Sequence, residues 1–157
     1  MKRYDCLLFD LDRTLWDVEK NQKEALRVLY SRYRLDRYGP DFELCFEYYE
    51  KSNSRLWEAY RDGKDTREVL RNTRFEEMLD QIGVHDLTLA RQMGDDYVRL
   101  APTFTNMIPH ATEIARELSQ RYPMYIVTNG LVETQHIKLR NCGLAPYFRE
   151  IVCSEEA

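Results

Sequence analysis

Two aspartates stand one residue apart near the amino terminus, in the stretch LLFDLDRTLW. Asp10 and Asp12 directly follow a short apolar run. Because like charges this close repel each other, the pair indicates a bound cation, a reaction, or a solvated turn. Asp10 could act both as an oxygen ligand for Mg²⁺ and as a nucleophile toward phosphorus. Asp12 could give a proton to a leaving oxygen and later take one from water.

A second polar cluster, the tripeptide TNG, follows another apolar run, MYIV. Thr128 offers a hydroxyl group and Asn129 an amide, and the backbone N–H groups at the start of the next helix would suit phosphate oxygens. Gly130 would let the backbone approach a ligand closely. Either cluster alone is more typical of a turn, but two strand ends of this kind in one chain favour a phosphate site.

Three short apolar segments predict the strands that must position these clusters, at residues 4–9, 124–127 and 151–153. Polar and apolar spacing predicts a helix between the second and third strands, ended by Gly143, and another helix over residues 110–121. A strand–helix–strand order indicates a parallel sheet, which is usually buried on both faces and binds ligands at the carboxyl ends of its strands. We therefore expect the two clusters to converge.

The long middle of the chain has a different pattern. From about Glu19 to Leu100 the spacing predicts four amphipathic helices and no strand, with Gly39, Gly63 and Gly83 as helix-ending residues. The sequence thus predicts an α/β fold, with a Rossmann-like parallel sheet core that is incomplete at the carboxyl terminus and an inserted all-helical cap. The predicted core comprises residues 1–18 and 101–157, and the predicted cap residues 19–100.

Composition narrows the class of protein. The chain has 157 residues, of which 43% are hydrophobic, enough for a core. A net charge of -4 argues against nucleic acid or a membrane surface as a partner, and no apolar stretch is long enough to span a membrane. Four cysteines without CxxC spacing favour a reducing compartment, so we predict a cytoplasmic protein. The sequence does not indicate an oligomeric state.

The motif DLDRT, from Asp10 to Thr14, together with Thr128 in IVTNG, resembles the haloacid dehalogenase-like superfamily over essentially the whole chain. The resemblance implies that Asp10 is the nucleophile and a Mg²⁺ ligand, and that Asp12 is the acid/base and binds Mg²⁺ through its backbone carbonyl. It also implies that Thr128 binds phosphate. Superfamily members that dehalogenate or cleave phosphonates lack the second aspartate, so Asp12 implies phosphoryl transfer.

Two longer stretches, LWEAYRDGKDTREVLRNTRFEEML and TNGLVETQHIKLRNCGLAPYFREIVCSEEA, are similar to the pyrimidine 5'-nucleotidase branch. That similarity implies a phosphate monoester substrate such as UMP, dUMP or dTMP, hydrolysed through an aspartyl-phosphate. It also implies substrate contacts for Asn72 and Arg74 in the cap. N-acetylneuraminate-9-phosphatase has a similar TNG motif, and its sugar phosphate is the alternative substrate class.

The chain departs from the family pattern in two places. Arg13 replaces the glycine usual in DxDGT, and a side chain is tolerable there if the backbone keeps a negative φ. The family's third motif, a lysine, and its fourth, an acidic pair, normally follow the SEEA with which this sequence stops. We therefore expect an amino-terminal fragment of a longer phosphatase, with an incomplete site, an exposed sheet edge and an exposed apolar face.

Three other classes remain open at this stage. A phospho-accepting receiver domain also uses an acidic pocket and Mg²⁺, but its acceptor ends a central strand and no inserted cap follows. A non-catalytic binding protein would have lost the later motifs. A phosphomutase would share both aspartates and would be recognised by a trapped bisphosphate intermediate.

Overall fold

The structure is a computed structural model that describes residues 4–154. The terminal SEEA stretch therefore lies outside the described residues except for Ser154. The chain divides into two compact units, residues 1–22 with 101–157 and residues 23–100. The first contains a parallel sheet and the second is helical, which confirms the predicted fold class. The division falls later than residue 18, inside a helix, and the proposed domain limits stay a prediction.

The sheet has three parallel strands in the order β1-β2-β3, namely β1 (Leu7–Phe9), β2 (Met124–Thr128) and β3 (Glu150–Cys153). The predicted second and third strands are confirmed within a residue. The first strand is shorter than the predicted span, 4–9. Its pairing begins where Leu7 N–H donates to the Pro123 carbonyl at 2.9 Å. Pro123 has no N–H group, so the ladder cannot continue beyond that point.

Six α-helices accompany the strands in the described part of the chain. They are α1 (Val18–Arg32), α2 (Phe42–Arg61), α3 (Arg67–Gln81), α4 (Leu87–Leu100), α5 (Ala111–Ser119) and α6 (Val132–Asn141). Single 3₁₀ turns lie at Leu35–Tyr38, Ala101–Thr103 and Ala145–Tyr147. The first four α-helices are the four predicted for the middle of the chain. None of the described helices combines the length and apolar character needed to cross a membrane.

Helix ends follow the expected local chemistry. The Asp41 carboxylate accepts a hydrogen bond from Leu44 N–H at the start of α2, and the Thr66 hydroxyl accepts one from Val69 N–H at the start of α3. Four glycines with positive φ end helical segments, as predicted: Gly39, Gly63, Gly83 and Gly143. Positive φ is the conformation in which glycine avoids the steric penalty of a side chain.

The sheet is buried on only one face. Met124 and Ile126 of β2 pack against Ala115 of α5, Leu139 of α6 and Trp16. On the opposite face Leu8, Val127 and Val152 are 66%, 46% and 37% exposed. The prediction of a sheet buried on both faces is therefore wrong for the described residues, whereas the expected exposed apolar face is present. Side chains alternate across a strand, so covering one face leaves the alternate positions in solvent.

The helical unit, residues 23–100, has its own aromatic core. The rings of Tyr49, Phe75 and Tyr97 lie within 5.4–5.5 Å of one another, centroid to centroid. They belong to α2, α3 and α4 respectively, so these rings hold the three helices together. Contacts at this spacing add to the free energy gained by burying the aromatic area.

Candidate active site

A tight turn follows β1 and presents both aspartates. The Leu11 carbonyl accepts hydrogen bonds from the backbone N–H groups of Leu15 and Trp16, each at 2.9 Å, and Arg13 N–H donates to the Trp16 carbonyl at 3.0 Å. Leu11, Leu15 and Trp16 are buried, which anchors the turn in the core. Asp10 is exposed immediately beyond the strand, and its Oδ1 accepts Leu11 N–H at 2.8 Å.

The backbone of Arg13 does not keep a negative φ. Its φ is 65°, in the left-handed region, so the condition for tolerating a side chain at this position is not met. The bonds that close the turn impose this conformation, in which a side chain is strained by about 1–2 kcal/mol relative to glycine. The Arg13 side chain is exposed and pairs with Glu19 at 2.5 Å. The positive φ thus explains why glycine is typical of the family at this position.

Thr128 is the last residue of β2, and its side chain is buried. Its Oγ1 accepts hydrogen bonds from Gly130 N–H at 3.0 Å and from Gln135 Nε2 at 3.3 Å. With both lone pairs engaged, the hydroxyl proton is the part of the group left to donate, which suits a phosphate oxygen. The N–H of Gly130 is thus hydrogen-bonded inside the turn, and its predicted contact with phosphate stays a prediction. Asn129 is exposed.

Gly130 is required for a steric reason. A Cβ atom added there would lie 1.3 Å from Nε2 of Gln135, far too close for two atoms that are not bonded to each other. Its φ is not positive, so the freedom usually expected of an Asn-Gly pair is not the cause. The missing side chain instead makes room for the glutamine of α6.

Two residues of α6 hold Asp12. Gln135 Nε2 donates to Asp12 Oδ2 at 2.9 Å, and Lys138 Nζ donates to Asp12 Oδ1 at 2.7 Å. Because Gln135 also reaches Thr128, it connects the ends of β1 and β2 through one side chain. The predicted convergence of the two clusters is thus seen as this shared contact.

Sequence reasoning missed Gln135 and Lys138. Both lie in QHIKL of the helix that follows TNG, three residues apart, the spacing that places two side chains on one helical face. Their polar character alone does not indicate burial, yet both are buried. Two polar residues at this spacing, in the helix that directly follows the TNG motif, are the signal that could have identified them.

The charges around Asp10 act in opposing directions on its pKa. Partial burial, the largest cause, raises the pKa above its ordinary value, while the Leu11 N–H lowers it. The negative charge of Asp12 raises the pKa further, and the positive charge of Lys138 opposes that rise. The repulsion between the two aspartates is thus relieved in part by a lysine of the chain itself.

The donor set fits Mg²⁺ held by few protein ligands. Within residues 4–154 no three His, Cys, Asp or Glu side chains are grouped as a metal cluster. Both Asp12 side-chain oxygens are engaged by α6, which leaves its backbone carbonyl and the Asp10 carboxylate as oxygen donors. Mg²⁺ is commonly bound by one or two carboxylates, with water and substrate phosphate completing the coordination.

Asn72 and Arg74 lie on α3 in the helical unit. Asn72 is half-buried, and Arg74 is buried, with its guanidinium donating to Asn53 Oδ1 at 3.1 Å and lying 4.5 Å from the Tyr97 ring centroid. These contacts give Arg74 a packing role within its own unit. A substrate role for the two residues stays a prediction.

The fold and the motif geometry agree with a family match. The haloacid dehalogenase-like hydrolase model matches residues 4–157, and the chain belongs to this family. The resemblance drawn from DLDRT and IVTNG is thereby confirmed.

Relatives extend this result. The chain is 37% identical to the HAD-hydrolase YfnB of Bacillus subtilis over 99% of its own length and 64% of the relative's. It is 30% identical to the pyrimidine 5'-nucleotidase PynA of Streptococcus pneumoniae, over 98% of this chain and 62% of that one. The pyrimidine 5'-nucleotidase YjjG of Escherichia coli is 25% identical, again over 98% of this chain and 64% of the relative. The chain therefore spans less than two thirds of the length of these relatives. Their names support the 5'-nucleotidase-like branch of the family.

Solved structures agree on the fold. The crystal structure of YfnB bound to magnesium matches with a TM-score of 0.87 at 35% identity, over 99% of this chain and 67% of that one. L-2-haloacid dehalogenase of Xanthobacter autotrophicus matches with a TM-score of 0.67 at 18% identity, covering 98% of this chain and 58% of the other. The second likeness is one of fold alone.

Proposed function

We propose that this chain carries the nucleophile and the acid/base of a Mg²⁺-dependent phosphatase, which hydrolyses a pyrimidine nucleoside 5'-monophosphate through an aspartyl-phosphate. The observation that carries the proposal is the arrangement at the strand ends. Asp10 is exposed beside a turn, while Asp12 and the Thr128 hydroxyl share the Gln135 amide. A nucleophile, a proton carrier and a phosphate donor thus belong to one site.

The chemistry proceeds in two displacements. An Asp10 carboxylate oxygen attacks phosphorus, the bond from phosphorus to the ester oxygen breaks, and protonated Asp12 gives its proton to that oxygen. Water then attacks the aspartyl-phosphate and loses a proton to Asp12, while the bond between phosphorus and the Asp10 oxygen breaks. Inorganic phosphate leaves, and Asp10 is again a carboxylate and Asp12 again protonated.

Mg²⁺ would be held by the Asp10 carboxylate and the Asp12 carbonyl, and when bound it supplies positive charge that lets an anionic nucleophile approach an anionic phosphate. The Thr128 hydroxyl would donate to a phosphate oxygen. Asn129, which is exposed, would contribute its amide. Gly130 would contribute by leaving space for Gln135.

Pyrimidine nucleotides are the proposed substrates because two relatives are named as pyrimidine 5'-nucleotidases. Asn72 and Arg74 are the proposed cap contacts, with Asn72 the more accessible of the two. An N-acetylneuraminate 9-phosphatase is the alternative substrate class, and a non-catalytic binding protein is the alternative outside enzymes. The cytoplasmic location stays a prediction, as do the absence of nucleic-acid and membrane partners and the fragment status.

The testing experiment measures Mg²⁺-dependent phosphate release from UMP, dUMP, dTMP and N-acetylneuraminate 9-phosphate. It uses both the 157-residue chain and the product of the full reading frame. Asp10→Asn is the matched control because it keeps the shape of the side chain and one oxygen that can accept Leu11 N–H, but removes the nucleophilic carboxylate. We expect release from the pyrimidine nucleotides, reduced at least about a thousandfold in Asp10→Asn.

Each alternative has its own outcome. Preference for the sugar phosphate would reassign the substrate class. No release by either chain from any of the four compounds would contradict the phosphatase proposal and favour a binding protein. Activity that survives in Asp10→Asn would contradict the role of the nucleophile.

A further inference from the structure

We propose that Gln135 and Lys138 are positioning residues that fix the Asp12 carboxylate for proton transfer to and from the reacting oxygens. This inference rests on the proposed function and adds to it a part of the site that neither the motifs nor the relatives assign. We call the arrangement of Gln135 and Lys138 on Asp12 the carboxylate clamp.

The first half of the carboxylate clamp is the Gln135 amide. Its Nε2 lies 2.9 Å from Asp12 Oδ2 and 3.3 Å from Thr128 Oγ1. A carboxylate only accepts hydrogen bonds, so the amide nitrogen must face Asp12 and the orientation of the side chain is fixed. Gln135 Oε1 is left buried with no hydrogen-bond partner among the described residues. An unpaired buried acceptor lowers the stability of the fold, which indicates that packing alone did not select this arrangement.

The second half is the Lys138 ammonium. Its Nζ lies 2.7 Å from Asp12 Oδ1 and 4.2 Å from the centroid of the Trp16 ring. Trp16 is fully buried, and its Nε1 donates to the Phe104 carbonyl at 2.9 Å, so the ring is itself immobilised. The lysine is thus held between a carboxylate and an aromatic face, the two partners that make its burial tolerable.

Together the two donors reach the two oxygens of one carboxylate. One hydrogen bond would leave the carboxylate free to rotate about its last bond, and two donors on opposite oxygens remove that rotation. Each oxygen keeps a further lone pair for the proton it must carry. The Asp12 carboxylate is therefore held at a fixed position relative to the Thr128 hydroxyl. The proposed acid and the proposed phosphate donor are thus positioned by the same side chain, Gln135.

The prediction that follows concerns leaving groups. A ribose alkoxide needs a proton as it departs, whereas p-nitrophenolate departs readily without one. Loss of the carboxylate clamp should therefore impair phosphorylation of Asp10 by UMP far more than by p-nitrophenyl phosphate. A residue that only maintains the fold would affect both substrates equally.

The experiment compares kcat/KM for UMP and p-nitrophenyl phosphate in Lys138→Met and Gln135→Leu, in the full-reading-frame protein. We expect kcat/KM for UMP to fall about tenfold to a hundredfold, and that for p-nitrophenyl phosphate to fall by no more than about threefold. Phosphorylated protein should accumulate with both substrates because Asp12 also serves the hydrolysis step. Lys138→Arg should recover part of the UMP activity. Arg140→Met, on the exposed side of α6, should match wild type.

Several outcomes would overturn the inference. Equal losses with the two substrates would make Gln135 and Lys138 residues of the fold only, and unchanged kinetics would make them dispensable. If circular dichroism shows that the apolar variants do not fold, the two substrates are compared in Gln135→Asn, whose shorter amide cannot reach Asp12. Wild-type protein that shows no Asp10-dependent release from either substrate would contradict the proposed function itself, a result distinct from equal losses.

Discussion

The two compact units use charge in different ways. In the helical unit Asp96 of α4 accepts hydrogen bonds from Arg32 and Arg99, each at 2.7 Å, and from the Tyr33 hydroxyl at 2.9 Å. The two arginine side chains are 48% and 71% exposed. In the unit with the sheet, the ion pair between Lys138 and Asp12 is largely buried and stands where the strands end.

These two networks have different physical consequences. The arginines hold the pKa of Asp96 down at about 2, so the ionised form stabilises the fold. The buried pair must first be desolvated, and Oε1 of Gln135 beside it has no hydrogen-bond partner within residues 4–154. The charged network of the helical unit thus stabilises the fold, whereas the buried pair at the strand ends carries a desolvation cost. Such costs are concentrated at functional sites.

The most disruptive test of this difference is Gly130→Ala. The added methyl group would occupy the position of Gln135 Nε2, so the glutamine must leave Asp12 and Thr128. We expect turnover of UMP to fall at least about tenfold, with a loss of about 1–3 kcal/mol in the free energy of unfolding. Steady-state kinetics and urea unfolding measure the two effects.

A double-mutant cycle isolates the cause. In a Gln135→Ala background the three atoms nearest to the added methyl group are gone, so Gly130→Ala should then have little further effect on turnover. If the two losses are additive, Gly130 acts independently of Gln135 and the steric explanation fails.

Asp96→Asn tests the charged network that Asp96 forms with Arg32, Tyr33 and Arg99 in the helical unit. Because the pKa of Asp96 is lowered from 3.8 to about 2, its stabilisation is complete above pH 3.8 and disappears as the pH falls through about 2. We expect a loss of about 1 kcal/mol at neutral pH, after allowance for screening by solvent around the arginines. Urea unfolding of wild type and variant at neutral pH and near pH 2 measures this difference, and turnover should stay unchanged.

Asp62→Asn is the matched control for Asp96. Asp62 pairs with Lys64 at 2.7 Å, but both side chains are exposed. Its loss should change stability by less than about 0.5 kcal/mol. A difference between wild type and Asp96→Asn that persists near pH 2 would show that charge is not what Asp96 contributes.

The smallest expected effect concerns the turn between the aspartates. Arg13→Gly and Arg13→Ala both remove the exposed pair with Glu19, but only glycine relieves the positive φ. We expect the glycine variant to be more stable than the alanine variant by about 0.5–1 kcal/mol, since part of the relief is offset by the greater freedom of glycine in the unfolded chain. Thermal unfolding of the two variants compares them, and equal stability would mean that the turn is not strained.

The sequence predicts most of the fold because local patterns specify it. Asp10 directly follows the first strand and Thr128 ends the second, four helices separate the first strand from the others, and Gly39, Gly63, Gly83 and Gly143 end helical segments as expected. The limits of β1 could not be predicted in the same way. They depend on the pairing partner, where Pro123 has no N–H group.

The site is predictable only in part, for a related reason. Asp10, Asp12 and Thr128 were identified because each ends or follows a strand, which is a local feature. Gln135 and Lys138 are defined by contacts with a residue more than a hundred positions earlier in the chain, and their polarity alone does not indicate those contacts. The φ of Arg13 likewise depends on the hydrogen bonds that close its turn.

Acid quenching during turnover shows whether Asp10 carries the phosphoryl group. The full-reading-frame protein is mixed with UMP and Mg²⁺, quenched within its first turnovers, digested, and analysed by peptide mass spectrometry. We expect a hydroxylamine-labile phosphoryl group on Asp10 that is absent from Asp10→Asn. Phosphate release with Asp10 unmodified, or a phosphoryl group on any other residue, would mean that Asp10 is not the nucleophile.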